Sequence, residues 1–284
     1  MESKSVHRVT GNQFPTGIEY AESRASVAHL ALHVTGKSLQ CAMYDLDRDE
    51  LVWLNQFPLV DGDPEHATLQ QILKGERLFD SVFRKCSISS TPGEFSLIPS
   101  GFFDASLQGS FLDPSVAPSD ILHHRIKKVA AMVVYTFPGA IEKMASRRFP
   151  TLRTVSFAGL LAEYGATHST GGTHFYAHVA DHCMVLVVAR ESELLLCNRY
   201  EVRRADDALY HIGNAAIQLG VDLGSAHLHH GGEPDQFPEL QGMLATYCGH
   251  IHSLRDALNV HKTIEFPGSR ESWFPVISHF LCEL

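Results

Sequence analysis

Apolar positions first fall in runs of strand length, then at helical spacing, and the same succession returns in the second half of the chain. Residues 1–26 are polar and aperiodic, and read as a tail or a loose first strand. Runs at 27–34, 39–44 and 51–57, separated by polar turns, predict three successive strands. The breaker Asp61-Gly62-Asp63-Pro64 then precedes a segment at 65–83, where Leu69, Ile72, Leu73 and Leu78 keep a helical period. A strand pair is expected at 85–89 and 94–98, a short helix at 102–112, and a proline-rich loop at 113–119. The β-branched cluster at 129–135 reads as a buried strand before Pro138. Helices follow at 139–148 and 154–164, the second ending at Gly165.

The second half predicts strands at 173–179, 183–189 and 193–200. A helix at 206–219 has acidic residues in its first turn and Gly220 as its stop. A short strand at 225–230 runs into Gly231-Gly232, followed by a helix at 238–248, a strand at 251–254 and a terminal helix at 274–282. The halves superimpose. His29 and His33 return 145 residues on (174 − 29) as His174 and His178, and Leu51–Phe57 returns 143 residues on (194 − 51) as Leu194–Tyr200. A turn two residues shorter in the second copy absorbs the difference. The repeat predicts a duplication. A meander feeding a helix and further βα units gives mixed sheets with helices outside. The expected class is therefore α/β with mixed α+β sheets, in an actin-like (RNase H-like) duplicated two-lobe fold. Its expected parts are a tail at 1–25, a first lobe at 26–168 and a second at 169–284.

Composition narrows the function classes. With 44% hydrophobic and 19% charged residues the chain can bury a core, and a net charge of −9 argues against general nucleic-acid binding. The short basic runs 126–128 and 147–148 read as solvated helix faces. The cysteines Cys41, Cys86, Cys183, Cys197, Cys248 and Cys282 form no C-x-x-C pair and several sit in apolar runs, as reduced thiols do. No signal segment is apparent, and no apolar run approaches the about 20 residues of a membrane helix. A cytoplasmic protein is the consistent expectation.

The order of several short motifs resembles the DUF3822 proteins of Bacteroidetes-type bacteria, a family with an actin-like ATPase fold. They are Ser96–Phe103, Val134-Tyr135-x-x-Pro138, Leu196–Tyr200, Asp206–His211, Gln218–Asp222, His230-Gly231-Gly232-Glu233 and Phe280–Glu283. The resemblance implies a fold and no biochemical activity. Proteins of this fold hold nucleotide with an acidic, glycine-rich turn in each lobe, whose backbone N–H groups cradle phosphate while aspartates hold Mg²⁺. The matching positions here are Thr35, Gly36 and Lys37 in the first turn, with no aspartate, and Asp181 in the second, with no glycine. Gly231 and Gly232 stand on the adenosine side. No cofactor is expected on this pattern, and ATP with Mg²⁺ is the group the cleft would otherwise hold.

Other chemistry finds less support. Gly36-Lys37-Ser38 imitates the end of a phosphate-binding P-loop but lacks its upstream glycine and sits between strands. No G-x-S-x-G elbow is present, and no catalytic residue is assigned. His227 with His229, and His250 with His252, each share a strand face and are the candidate metal ligands among 18 histidines. The leading expectation is a non-catalytic scaffold with a protein partner, compatible with a homodimer. The alternatives are a divergent nucleotide-binding ATPase or kinase-like enzyme and a metal-binding accessory protein. A docking partner would leave Phe102, Phe103, Trp273 or Phe274 exposed.

Overall fold

The computed structural model describes residues 17–60, 67–233, 236–256, 266 and 269–282. The breaker at 61–64, Glu65 and the family motif's Glu283 lie outside them. A helix α1 (Ile18–Arg24) occupies part of the segment read as a tail or loose strand. It leads into the meander β1 (Ala28–Val34), β2 (Ser38–Asp45) and β3 (Glu50–Pro58). Next come α2 (Ala67–Gly75), a 3₁₀ turn at Arg77–Asp80 and β4 (Lys85–Ser90). The single helix expected over 65–83 thus breaks at Gly75, and the Glu76 carboxylate accepts from Leu78 N–H in the turn that follows.

An insertion then supplies β5 (Phe95–Pro99), β6 (Ile121–Ile126) and β7 (Ala131–Thr136), which form their own sheet in the order β5-β7-β6. The strands expected to pair at 85–89 and 94–98 both exist but sit in different sheets. β4 runs parallel to β1, whereas β5 pairs with β7. The helix expected at 102–112 is 3₁₀ throughout, at Ser100–Phe102 and Ala105–Phe111. Then come α3 (Gly139–Arg148), β8 (Leu152–Thr154) and α4 (Phe157–His168). Ser156 caps α4, its hydroxyl accepting from Gly159 N–H at 3.3 Å. The helix does not stop at Gly165. A Cβ there would sit 3.0 Å from Tyr176 and Val187, so the glycine lets the helix approach a strand.

The second half repeats the plan with β9 (Thr173–Ala180), β10 (Cys183–Arg190), β11 (Glu193–Glu201), α5 (Ala205–Leu219), β12 (His227–Gly232), α6 (Leu240–Tyr247), β13 (His250–Ser253) and α7 (Phe274–Leu281). Its sheet order, β11-β10-β9-β12-β13, is that of the first sheet, β3-β2-β1-β4-β8, with the same antiparallel and parallel neighbours. Both sheets carry a bulge at the same place. Val52 is skipped between the pairs Met43–Trp53 and Tyr44–Leu51, and Leu195 between Val188–Leu196 and Ala189–Leu194. The β2–β3 connection is Leu46–Asp49, and the β10–β11 connection is only Glu191–Ser192, which accounts for the two-residue change of offset.

The central strands β1 and β2 are buried along their whole length, because each sheet is covered on both faces. One face of the second sheet meets α5 and α6 through Phe175, Ala177, Met184 and Ile212. The other faces are covered by exchange: α4 packs on β9, β10 and β11, while α7 packs on β1, β2 and β4, and the two helices touch. This explains why α4 is buried on every side rather than amphipathic. Trp273 and Phe274 belong to this seam and are fully buried, so of the aromatics expected at a docking surface only those of the insertion reach solvent. Burying such a side chain contributes about 1.5–3 kcal/mol.

Candidate functional site: the turns between the lobes

The β1–β2 and β9–β10 turns meet where the two sheets face each other. In the first, Thr35 organises its own loop. Its Oγ1 accepts from Lys37 N–H at 3.2 Å and Ser38 N–H at 2.9 Å, while its N–H donates to Ser38 O at 2.8 Å. The remaining amide, Gly36 N–H, donates across the cleft to Asp181 Oδ2 at 3.3 Å. The same oxygen accepts from Thr91 Oγ1 at 3.0 Å, just beyond β4. A further cross-lobe bond runs from Arg199 Nε to Pro92 O at 2.9 Å.

The second turn is a two-residue hairpin with Asp181 at φ +49° and His182 at φ +57°. Both lie in the left-handed region that such turns require. The Asp181 N–H faces the carboxylate of Glu233 at the exit of β12. Burial and the neighbouring Asp181 carboxylate push the Glu233 carboxyl up from its ordinary value, opposed by Lys37 and by that N–H. The amides of both turns therefore face protein oxygens, and two carboxylates stand beside them. Anion cradles need free N–H groups, so a phosphate does not fit the turns as they stand, while the two carboxylates are of the kind that hold Mg²⁺.

The structure thus brings Thr35, Gly36 and Asp181 together, as the sequence suggests, with Lys37 near enough to act on Glu233. Gly231 and Gly232 belong to β12 itself. Gly232 pairs with Val179 at φ +115°, and a Cβ there would fall 1.8 Å from Val179 O. Gly232 thus permits a close strand approach, and Gly231 leaves room for the Leu254 side chain, 2.9 Å from where its Cβ would stand. They also line a cavity of about 270 Å³ between the second sheet and α5–α6, walled by Val179, Met184, Ile212, Phe237 and Leu244 with Glu233 at its edge. That is just below the about 300–1,000 Å³ of typical small-molecule sites. Thr91 and Glu233 escape the sequence reading. The only signal was an acidic residue directly after the glycine pair.

The four candidate metal ligands lie on β12 and β13 in register, His227 opposite His250 and His229 opposite His252. No group of three or more His, Cys, Asp or Glu side chains converges on a metal position among the described residues.

With this geometry established, the sequence pattern of a family described as "Protein of unknown function (DUF3822)" matches residues 19–251. The chain belongs to the DUF3822 family. No curated protein matches it. Among solved structures, this DUF3822 chain is similar to a Bacteroides thetaiotaomicron protein with an actin-like ATPase fold and unknown function. The identity is 17% and the TM-score 0.74, with 86% of this chain and 98% of that one covered. It is also similar, at 14% identity and TM-score 0.57, to a chain of the PilM–PilN type IV pilus biogenesis complex, covering 89% and 96%. Both likenesses establish the actin-like two-lobe fold for the DUF3822 chain. Among the described residues, no helix is long and apolar enough to cross a membrane.

Proposed function

We propose that the chain is a non-catalytic actin-like scaffold that works by contact with another protein. The observation that carries this reading is the closure of the two turns on each other, with the Asp181 carboxylate bonded to Gly36 N–H where a nucleotide's phosphates would need that amide. A triphosphate would have to displace Asp181 from Gly36 N–H, and without Mg²⁺ between them it would lie against the Asp181 and Glu233 carboxylates, a like-charge arrangement. Two further features support the reading. The fold occurs in the PilM–PilN complex, so an actin-like body working within a protein assembly has a precedent. The 3₁₀ turns between β5 and β6 also expose two large apolar side chains, Phe102 at 81% and Leu107 at 55%.

Thermal denaturation with Mg²⁺-ATP and Mg²⁺-ADP tests it. The expected result is an unchanged midpoint at millimolar nucleotide, and no phosphate release. A ligand at one hundred times its Kd stabilises by about 2.7 kcal/mol, a readily visible shift. Such a shift would overturn the scaffold reading in favour of a divergent ATPase or kinase-like enzyme.

A further inference from the structure

The face of the second sheet opposite α5 and α6 carries an array of six rings. β9, β12 and β13 run parallel and in register, so His174, His227 and His250 form one row and Tyr176, His229 and His252 the next. Each row is a continuous stack. Centroids are 4.7 and 4.8 Å apart in the first, and 4.6 and 4.7 Å in the second, with neighbouring planes within 23° of parallel. The rows are joined diagonally, His174 Nδ1 to His229 Nε2 at 3.1 Å and His227 Nδ1 to His252 Nε2 at 3.0 Å.

These nitrogens are aimed at one another with one ring already fixed. His174 Nε2–H donates to Thr170 O at 3.0 Å, which leaves the Nδ1 lone pair facing His229. A metal-binding histidine is commonly held this way, its second nitrogen donating to a backbone carbonyl. The separations also fit. With metal–nitrogen bonds of about 2.0–2.1 Å, two imidazoles on one ion stand about 2.9 Å apart at a right angle and about 3.3 Å apart at the tetrahedral angle. The observed 3.0 and 3.1 Å lie between these.

We infer that the array binds late first-row divalent metal ions through its two diagonal pairs, His174 with His229 and His227 with His252. Each ion takes two imidazole nitrogens and completes its shell with water, since no third protein donor converges there among the described residues. Imidazole pairs favour Cu²⁺ over Ni²⁺ and Zn²⁺ and do not hold Mg²⁺. On binding, the donor ring of each pair changes tautomer: its proton moves through solvent from the nitrogen facing its partner to its other ring nitrogen, and the freed lone pair joins the metal with the ring still neutral. The sequence points to same-strand partners, but the structure joins residues on neighbouring strands and adds His174. His250 is exposed and His252 half-buried, so the array is open to solvent at the β13 edge. The inference is independent of the scaffold reading.

The test uses the untagged full chain, stripped by chelator and then titrated with Cu²⁺ or Zn²⁺ at pH 7.5, with bound metal counted after dialysis. The expected result is one or two equivalents bound. His229→Phe and His252→Phe keep both rings of the second stack but remove one facing nitrogen from each pair, and together they should abolish binding. His250→Phe touches neither pair and should leave the stoichiometry unchanged. His229→Gln with His252→Gln repeats the experiment should the phenylalanines disturb folding, as judged by circular dichroism. Binding below one equivalent overturns the inference. So does binding that survives the folded double variant, which would place the ion elsewhere among the histidines, and so does equal uptake of Mg²⁺.

Discussion

Lowering the pH from 7.5 to 5.5 is expected to remove about 5 kcal/mol of folding stability through four histidines alone, comparable to the entire about 5–15 kcal/mol of a typical domain. His29, His33, His178 and His279 are 4%, 3%, 4% and 1% exposed. Three of them form a buried chain with two serines. His33 Nδ1 meets Ser89 Oγ at 2.8 Å, which meets His279 Nε2 at 2.8 Å. His279 Nδ1 meets Ser87 Oγ at 2.6 Å, which meets His29 Nε2 at 2.7 Å. Neutral rings close this chain with every donor matched to an acceptor: each offers one N–H and one lone pair, and each hydroxyl passes one proton along.

Among the described residues, no carboxylate offsets a charge on these rings. Burial comes first, and His29 also faces Lys85 and Arg153, His33 faces His178, and His279 faces His29, His33 and His124. Burial alone acts on His178, whose Nε2 has no hydrogen-bond partner among the described residues. His29, His33 and His178 are thereby lowered from 6.5 to about 3, and His279 is held well below 6.5. The fold keeps the rings neutral while the unfolded chain takes up protons below 6.5. Their stabilising effect is therefore complete above that value and is lost as pH falls from 6.5 towards 3. Each ring costs about 1.4 kcal/mol per pH unit in that window. Urea unfolding at pH 7.5, 6.5 and 5.5 measures it, and His279→Gln should reduce the slope by about one proton. A stability curve flat over this range would mean that the rings accept protons inside the fold.

The second large effect concerns a single glycine. Gly232→Ala is expected to destabilise the protein by more than about 3 kcal/mol, because strained backbone and a clash combine. The new Cβ would lie 1.8 Å from Val179 O and 2.8 Å from Val179 N, both backbone atoms, at φ +115°. Relief requires pulling β12 from β9 in the middle of the second sheet, so lower soluble yield and an early urea midpoint are the readouts. Gly213→Ala in α5 should act with opposite sign. Its Cβ meets nothing within 4 Å, so the substitution should add about 0.5–1 kcal/mol as alanine replaces glycine inside a helix. Equal effects at both positions would refute the packing argument.

The duplicated meander was legible because hairpins are local. Each strand's run and each polar turn can be read without knowing what lies across the sheet, and even the shorter second turn shows as a change of offset. β6 was missed because Ile121–Ile126 carries two histidines and an arginine on an alternately exposed strand. The cleft was half legible. The turn positions Thr35, Gly36 and Asp181 could be matched to the fold, but that Asp181 reaches Gly36 and Thr91 depends on how the lobes meet. The histidine chain was not legible, because His279 joins serines 190 and 192 residues earlier. A serine every second residue in a strand looks like any polar edge. Spacing likewise placed His227 and His229 on one face, but only sheet order supplies the neighbouring strand that brings His174 beside them.

The exchange of α4 and α7 has a consequence for how the chain is made. The face of the first sheet that α7 covers has no lid until residue 281 has been synthesised, although β1, β2 and β4 are complete by residue 90. At about 5–20 residues per second, the interval between the end of β4 and the end of α7 lasts on the order of ten seconds or more. During that time the nascent first half presents His29, His33, Ser87 and Ser89, the partners of α7, to solvent or to a chaperone. A ribosome that stalls after the first half would therefore release an open sheet with its histidine–serine face unpartnered rather than a finished lobe.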